Sequence, residues 1–109
     1  MPSYSKSDVV LVLYPFSDRS GSKVRPVIVV STAHASQDFF VMPLTSKTSR
    51  LLTGEFVLDD WQTSGLNVAS AVKRGLFTIH ESLIVKSVGA LSRSDAGRVD
   101  DSLRGWLGI

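Results

Sequence analysis

The sequence predicts a small, mostly antiparallel β-barrel or roll that is closed by one C-terminal helix. Short runs of β-branched and aromatic residues alternate with turn-forming segments along residues 9–88, and a single helical apolar stripe follows them. The chain has 109 residues, and 43% of them are apolar, as in ordinary globular proteins. We therefore expect one domain over residues 1–109, with no second unit.

Six strands are predicted from composition and from the positions of turn residues. The first, VVLVLY, is a buried strand by its β-branched content, and a turn-rich loop over residues 15–24 follows it. Arg25 and Pro26 lead into the second strand, because proline is tolerated at the first residue of a strand, where it need not donate to a ladder. The predicted strands cover residues 9–14, 27–31, 39–44, 55–58, 68–80 and 83–88.

Two helical segments are expected after the third strand and its polar, basic loop at residues 45–50. One helical turn covers residues 59–64, capped by Asp59 or Asp60 and ended by Gly65. The C-terminal helix begins after Ser92 as its N-cap, with Asp95 at the positive end of the helix dipole, and Gly108 ends it. Its apolar stripe consists of Ala96, Val99, Leu103, Trp106 and Leu107.

Composition excludes several classes of site. The chain has no cysteine, so disulfides, thiolate zinc sites and cysteine nucleophiles are absent, and a reducing compartment, the cytoplasm, is expected. The longest apolar run, residues 9–16, is too short to cross a membrane. Neither His34 nor His80 has a carboxylate at metal-ligand spacing, and no phosphate-loop motif occurs. We expect no metal and no cofactor.

One constellation points to phosphate chemistry. If strands two and three form an antiparallel hairpin, Arg25 at the start of one meets Thr45 and Ser46 at the end of the other. A guanidinium fork beside a hydroxyl is a phosphate site. The net charge of +2 is weak, but residues 19–50 carry five basic residues against Asp38 alone. On the residues alone, a solvated Arg25, and a ribonuclease using His34 and His80 as base and acid, remain open.

Several segments in order resemble the MazF/PemK (Kid) toxins of bacterial toxin–antitoxin systems. The resemblance rests on SDVVLVLYPF, SGSKVRPVIVVS and VMPLTS, followed by GLNVASAVK, LFTI and VGALS. It extends over about residues 7–107. The pair formed by RP before a VIVVS strand and PLTS about twenty residues later is its most specific part.

The resemblance implies an SH3-like small β-barrel with a C-terminal helix, a homodimer, and a metal-independent, sequence-specific endoribonuclease acting on single-stranded RNA. The substrate's own 2′-hydroxyl would be the nucleophile, giving 2′,3′-cyclic phosphate and 5′-hydroxyl ends. Arg25, Thr45 and Ser46 take the catalytic positions. The nearby basic residues are expected to bind RNA, and an acidic antitoxin is expected to lie across them; these residues are Arg19, Lys23, Lys47 and Arg50.

The chain departs from the family's pattern at one place. Many members carry a glutamate in the first loop, where this sequence has Ser20, and the nearest carboxylate is Asp18. Two alternatives therefore stand beside the ribonuclease: an RNA-binding barrel that does not cleave, and a gyrase-binding toxin similar to CcdB. The second would use the C-terminal tail, residues 106–109, which here reads WLGI.

Overall fold

The fold is taken from a computed structural model that describes residues 4–14 and 23–109. These residues form seven strands, one short 3-10 helix and one α-helix. The strands are β1 (Asp8–Tyr14), β2 (Lys23–Val29), β3 (Asp38–Thr45), β4 (Phe56–Val57), β5 (Ala71–Val72), β6 (Phe77–His80) and β7 (Ile84–Ala90). The 3-10 helix is Glu81–Leu83, and helix α1 is Arg93–Leu107.

All the strands pair antiparallel in the spatial order β4-β5-β3-β2-β1-β7, and β6 pairs with the first half of β3. Among the described residues no ladder joins β4 to β7, so the sheet is not closed. The expected fold class, a mostly antiparallel β domain with a C-terminal helix, is confirmed.

Both faces of the central strands are buried, which explains why VVLVLY shows no polar alternation. Val9 of β1 belongs to the cluster under helix α1, whereas Val10 and Val12 belong to the cluster on the opposite face. The first cluster includes Ile28, Met42, Leu58, Val72 and Val99, and the second includes Val27, Val29, Phe39, Val41 and Ile79.

Strand β2 begins at Lys23, four residues earlier than predicted, so Arg25 and Pro26 lie within it. Arg25 is the Cα partner of Val12 in β1, whereas the ladder to β3 begins only at Val27. Pro26 therefore lies on a stretch of β2 that pairs with β1 alone, where a missing N–H interrupts no β3 ladder. Of the predicted loop over 15–24, residues 15–22 lie outside the described part of the chain.

The single strand predicted over residues 68–80 is instead two strands, β5 and β6, along the same edge of β3. Val72 is the Cα partner of Leu44 and Phe77 that of Val41, so the four residues 73–76 lie opposite only two in β3. One of those two is Pro43, which has no N–H to donate, and its carbonyl accepts from the N–H of Lys73 at 3.1 Å. The proline is the physical reason for the interruption.

Helix α1 begins and ends where the sequence predicts. The Ser92 hydroxyl accepts from the N–H of Asp95 at 3.2 Å, and Gly108 ends the helix in a left-handed conformation. No helix in the described residues is long and apolar enough to span a bilayer.

The expected capping of the turn at residues 59–65 by its own aspartates is wrong. Its first N–H groups are bound by Asp95 of helix α1, whose carboxylate is completely buried. Oδ1 accepts from the N–H of Asp59 at 3.2 Å, and Oδ2 accepts from the N–H of Asp60 at 2.9 Å. The Asp59 carboxylate instead pairs with Arg98 at 3.1 Å. A distant carboxylate is available because the turn packs against the first turn of α1.

Replacement of Asp95 by asparagine should destabilise the fold. The amide keeps one acceptor and turns an NH₂ group toward a backbone N–H, so we expect the free energy of unfolding to fall by about 2–3 kcal/mol. Urea unfolding measures this loss. The control is Asp101→Asn, because Asp101 is 80% exposed beside Arg104 and should change stability by less than about 0.5 kcal/mol. Equal effects of the two substitutions would contradict the capping role.

A second carboxylate ties the loop before β4 to the interruption between β5 and β6. Oε1 of Glu55 accepts from the N–H of Leu52 at 2.8 Å, and Oε2 accepts from the N–H of Arg74 at 2.9 Å. The N–H groups of Arg74 and Leu52, with the positive charge of Lys73, lower the pKa of the Glu55 carboxyl below its usual value of about 4.5.

This lowered pKa predicts a pH-dependent contribution to stability. The ionised form is favoured by folding, so the contribution is complete above pH 4.5 and is lost as the pH falls through the lower folded pKa. We expect the difference in free energy of unfolding between the wild type and Glu55→Gln to be largest near pH 7 and to shrink below pH 4.5. Urea titrations of both proteins between pH 7 and pH 3 measure it. A difference that is constant across this range would refute the assignment.

Candidate functional site

An open cleft of about 700 Å³ lies at the end of the sheet where β2 and β3 separate. Strands β1, β2, β3 and β7 contribute to its walls, together with the segment that precedes β5. The polar and charged residues that line it are Arg25, Thr45, Ser46, Lys47, Asn67, Ser70, Lys73 and Lys86.

The strand register brings Arg25 and Thr45 to the same end of the sheet. The β2–β3 ladder pairs Val29 with Val41 and Val27 with Pro43. Arg25 and Thr45 lie two residues beyond this last pair on their own strands, and both line the cleft. This is the juxtaposition that an antiparallel hairpin of these strands predicts.

Thr45 is the last residue of β3, and its side chain is half-buried. Its Oγ1 accepts a hydrogen bond from the N–H of Lys47 at 3.1 Å, which holds the chain in a tight turn as it leaves the strand. This bond uses a lone pair of the hydroxyl oxygen and not its proton, so Thr45 retains an O–H donor for a ligand. Ser46 and Lys47 extend the same wall of the cleft.

The opposite wall is held by a close backbone approach. Gly65 has φ +90°, a left-handed conformation, and a Cβ there would overlap the carbonyl of Val88 in β7. A Cβ at Gly89 would likewise overlap the carbonyl of Ser64. Only glycine at both positions allows the end of the 59–65 turn to touch β7, and this contact fixes where the residues that follow enter the cleft.

All the charged side chains in the described lining of the cleft are cationic. Four cationic side chains line it, Arg25, Lys47, Lys73 and Lys86, and the described lining includes no aspartate, glutamate or histidine. Such a surface attracts a polyanion, and the hydroxyls of Thr45 and Ser46 add neutral donors. The arrangement fits a ligand that carries several phosphates.

Two described residues of the predicted RNA-binding set lie outside this cleft. Lys23 is exposed at the start of β2, and Arg50 lies in the loop after β3 with φ +58°; neither lines the cleft. Arg19 lies outside the described residues, as do Asp18 and Ser20. Conversely, Lys73, Lys86 and Asn67 line the cleft and were not predicted from the sequence. The position of Lys73 directly after the apolar pair of β5 could have indicated it, since residues at strand ends commonly line such clefts.

The two histidines do not form a catalytic pair at this site. His80 is the Cα partner of Asp38, and the N–H of His34 donates to the Asp38 carbonyl, so both lie near the start of β3, about 23 Å along the strand from Thr45. Each Nδ1 accepts from a nearby backbone N–H, that of Ser36 or Ser82. Both rings therefore brace local turns.

The C-terminal tail also has a structural role. Trp106 is half-buried against the core under α1, and its Nε1 donates to the carbonyl of Thr53 at 3.0 Å. Beyond it, Leu107 and Ile109 are exposed. The indole is therefore engaged by the fold, as expected for a residue of the helix's apolar stripe.

No group of three or more histidine, aspartate or glutamate side chains is placed to hold a metal ion within residues 4–14 and 23–109.

Comparison with solved structures places the fold among bacterial toxins. MazF from Deinococcus radiodurans superposes with a TM-score of 0.79 at 16% identity, over 100% of both chains. The Mycobacterium tuberculosis toxin MazF-mt6 gives 0.74 at 20% identity, over 94% of this chain and 97% of the other. An endoribonuclease in complex with its cognate antitoxin, from a mycobacterial species, gives 0.71 at 15% identity, over 100% and 97%. At these identities the likeness shows the fold.

The family is shown by the sequence itself. No curated protein matches the chain in a sequence search. The profile of the family described as "PemK-like, MazF-like toxin of type II toxin-antitoxin system" matches residues 5–107, nearly the whole chain. The order of RP, PLTS and the C-terminal helix, the antiparallel sheet and the cationic cleft agree with that match. The chain belongs to the PemK-like and MazF-like toxins of type II toxin–antitoxin systems.

Proposed function

We propose that this protein is a sequence-specific, metal-independent endoribonuclease that cleaves single-stranded RNA in the cleft at the end of β2 and β3. One observation carries the proposal: Arg25 and Thr45, from separate strands, meet in a cleft whose described lining is cationic and contains no acidic residue. Single-stranded RNA presents phosphates, 2′-hydroxyls and unstacked bases to such a surface.

The proposed reaction needs no nucleophile from the protein. The 2′-oxygen of the substrate attacks the adjacent phosphorus and loses its proton, while the bond from phosphorus to the 5′-oxygen breaks and that oxygen gains a proton. The products are a 2′,3′-cyclic phosphate and a 5′-hydroxyl end. Charge accumulates on the non-bridging oxygens in the transition state, so preorganised donors are the main contribution the protein can make.

Arg25 would provide most of that stabilisation. Its guanidinium can bind two phosphoryl oxygens at once and remains charged at neutral pH, so it suits an electrostatic role better than that of a base. Thr45 would donate its O–H to a phosphoryl oxygen, with Ser46 beside it as a further donor. A proton acceptor is still needed, and Asp18 in the first loop is the candidate in place of the family's glutamate.

The remaining cations would bind the flanking phosphates. Lys47, Lys73 and Lys86 line the cleft beside Arg25 and Thr45. Arg19, Lys23 and Arg50 stay predicted contacts for a longer strand. We further propose that the protein acts as a cytoplasmic homodimer, and that an acidic antitoxin inhibits it by occupying the same cationic surface. The solved complex of a mycobacterial endoribonuclease with its antitoxin supports that partner class.

The substitution Arg25→Ala tests the catalytic assignment. Loss of the guanidinium should lower the cleavage rate by at least about 100-fold, the usual effect of removing one transition-state donor. Arg25→Lys should also be slow, because an ammonium keeps the charge and loses the two-pronged geometry. The assay incubates long single-stranded RNA with each protein in EDTA, maps cuts by primer extension and identifies the end groups.

The matched control is Arg93→Ala, because Arg93 is an exposed arginine of α1 that does not line the cleft. It should cleave at the wild-type rate. Discrete cuts with cyclic-phosphate ends by the wild type and Arg93→Ala alone would support the proposal. Intact RNA with excess wild-type protein free of antitoxin would refute it, and binding without cutting would favour the non-cleaving barrel.

Salt dependence tests the phosphate contacts of the three lysines. A single-stranded 2′-fluoro oligonucleotide binds without being cut, because it lacks the nucleophile. Each of Lys47→Ala, Lys73→Ala and Lys86→Ala should reduce the slope of log K against log salt concentration by about 0.7, the value for one phosphate contact on a single strand. Lys6→Ala is the control, since Lys6 pairs with Asp100 at 3.0 Å outside the cleft. Unchanged slopes for all three lysines would rule out these contacts.

A further inference from the structure

We propose that Asn67 reads a nucleobase beside the scissile phosphate and is a determinant of the sequence preference of this protein. The inference deepens the proposed function, since it takes single-stranded RNA as the ligand. It concerns recognition of the base, whereas Arg25, Thr45 and the lysines concern the phosphate.

Asn67 differs in chemistry from every other polar group on the described lining. The side chains of the lysines and Arg25 only donate hydrogen bonds, and each serine or threonine hydroxyl offers a single O–H on one oxygen atom. The carboxamide presents a donor and an acceptor side by side in one plane, which is the pattern that pairs with the edge of a base. It is the group in the described cleft best suited to distinguish one base from another.

Among the described residues, the side chain of Asn67 has no partner. It is exposed on the cleft, and its carboxamide makes no hydrogen bond to any other described residue. The chain's two glutamines, Gln37 and Gln62, are also exposed, but neither lines the cleft. An asparagine that caps no turn within the described part of the chain, on the wall of a cationic cleft, is available to a ligand.

The backbone on both sides of Asn67 is nevertheless fixed. The N–H of Leu66 donates to the Trp61 carbonyl at 3.1 Å, and the Leu66 side chain packs against the core. On the other side, the Ser70 hydroxyl donates to the Val68 carbonyl at 3.0 Å. Because the backbone is already fixed, binding orders only the side-chain torsions of Asn67, which favours specificity.

An apolar surface lies beside the carboxamide. Val68 is 54% exposed and lines the same cleft. An exposed β-branched side chain next to Asn67 offers the flat face of a base an apolar contact while its edge meets the amide. A phosphate would gain nothing from such a surface, so the pair Asn67–Val68 fits a base better than the sugar-phosphate chain.

The test compares base preference in two randomised single-stranded pools. The natural RNA pool reports cleavage sites by sequencing of the new ends, and a 2′-fluoro pool, which cannot be cut, reports the sequences retained on the protein. Wild type is compared with Asn67→Ala and Asn67→Asp, and Gln62→Ala serves as control. Gln62 is an exposed carboxamide in the neighbouring turn, outside the cleft.

We expect Asn67→Ala to reduce the preference at one position next to the cut by about tenfold, the discrimination typical of one good base-edge contact. Asn67→Asp replaces the donor with a second acceptor and should shift that position toward bases that present an amino group. Gln62→Ala should keep the wild-type preference. The same preference in wild type and both Asn67 variants would overturn the inference.

The two pools separate this inference from the catalytic one. Should the wild type cut no RNA while an Asn67-dependent preference persists in the 2′-fluoro pool, the endoribonuclease proposal fails and base reading by Asn67 stands. Cleavage with a base preference that does not depend on Asn67 would support the endoribonuclease proposal and overturn base reading by Asn67. No cleavage of the RNA pool together with no retention of the 2′-fluoro pool overturns both proposals.

Discussion

The buried carboxylate of Asp95 connects the helix to the rest of the molecule. It lies in the first turn of α1, where the helix dipole favours negative charge, and it binds the N–H groups of Asp59 and Asp60. A completely buried carboxylate is tolerated only with such partners. Arg98, one turn further along α1, adds an ion pair to Asp59 and lies over the ring of Phe56 at 4.1 Å. These contacts fix the position and direction of the 59–65 turn.

The consequences of that contact reach the cleft. The turn ends at Gly65, which touches β7, and the chain then passes directly into the wall formed by residues 66–70. The other wall depends on the β2–β3 register, which brings Arg25 and Thr45 to the same end of the sheet. The site is thus assembled from two independent constraints, one electrostatic and one set by strand pairing. A change in helix α1 can displace one wall while leaving the arginine and threonine in place.

The sequence predicted the parts of this arrangement that depend on local pattern. The helix, with Ser92 and Gly108 at its ends, and the strands β1 and β3 follow from cap residues and β-branched runs. The capping of the 59–65 turn by Asp95 could not be predicted, because it joins residues 35 or more positions apart. The interruption between β5 and β6 has its cause in Pro43 on another strand. Local periodicity contains no information about such partners.

The candidate site shows the same division. The proximity of Arg25 and Thr45 was predicted from the sequence, because consecutive strands usually pair as a hairpin. Lys73, Lys86 and Asn67 were missed because they come from β7 and from the segments flanking β5, whose places in the sheet depend on non-local pairing. Charge counting by position along the chain could not find them either. Cations that are distant in sequence converge only once the sheet order is known.

This division also explains how the fold persists among toxins that share only 15–20% of their residues with this chain. The two apolar clusters need residues of suitable size on alternating faces, and many sequences satisfy that need. Lys47, Lys73 and Asn67, by contrast, lie in loops or directly after a strand, and Lys86 is an exposed residue of β7. Substitution there can alter the charge of the cleft or its base contacts without changing the core. We therefore expect the RNA sequence preferred by this protein to follow from its cleft residues, and a fold match alone to be a poor guide to it.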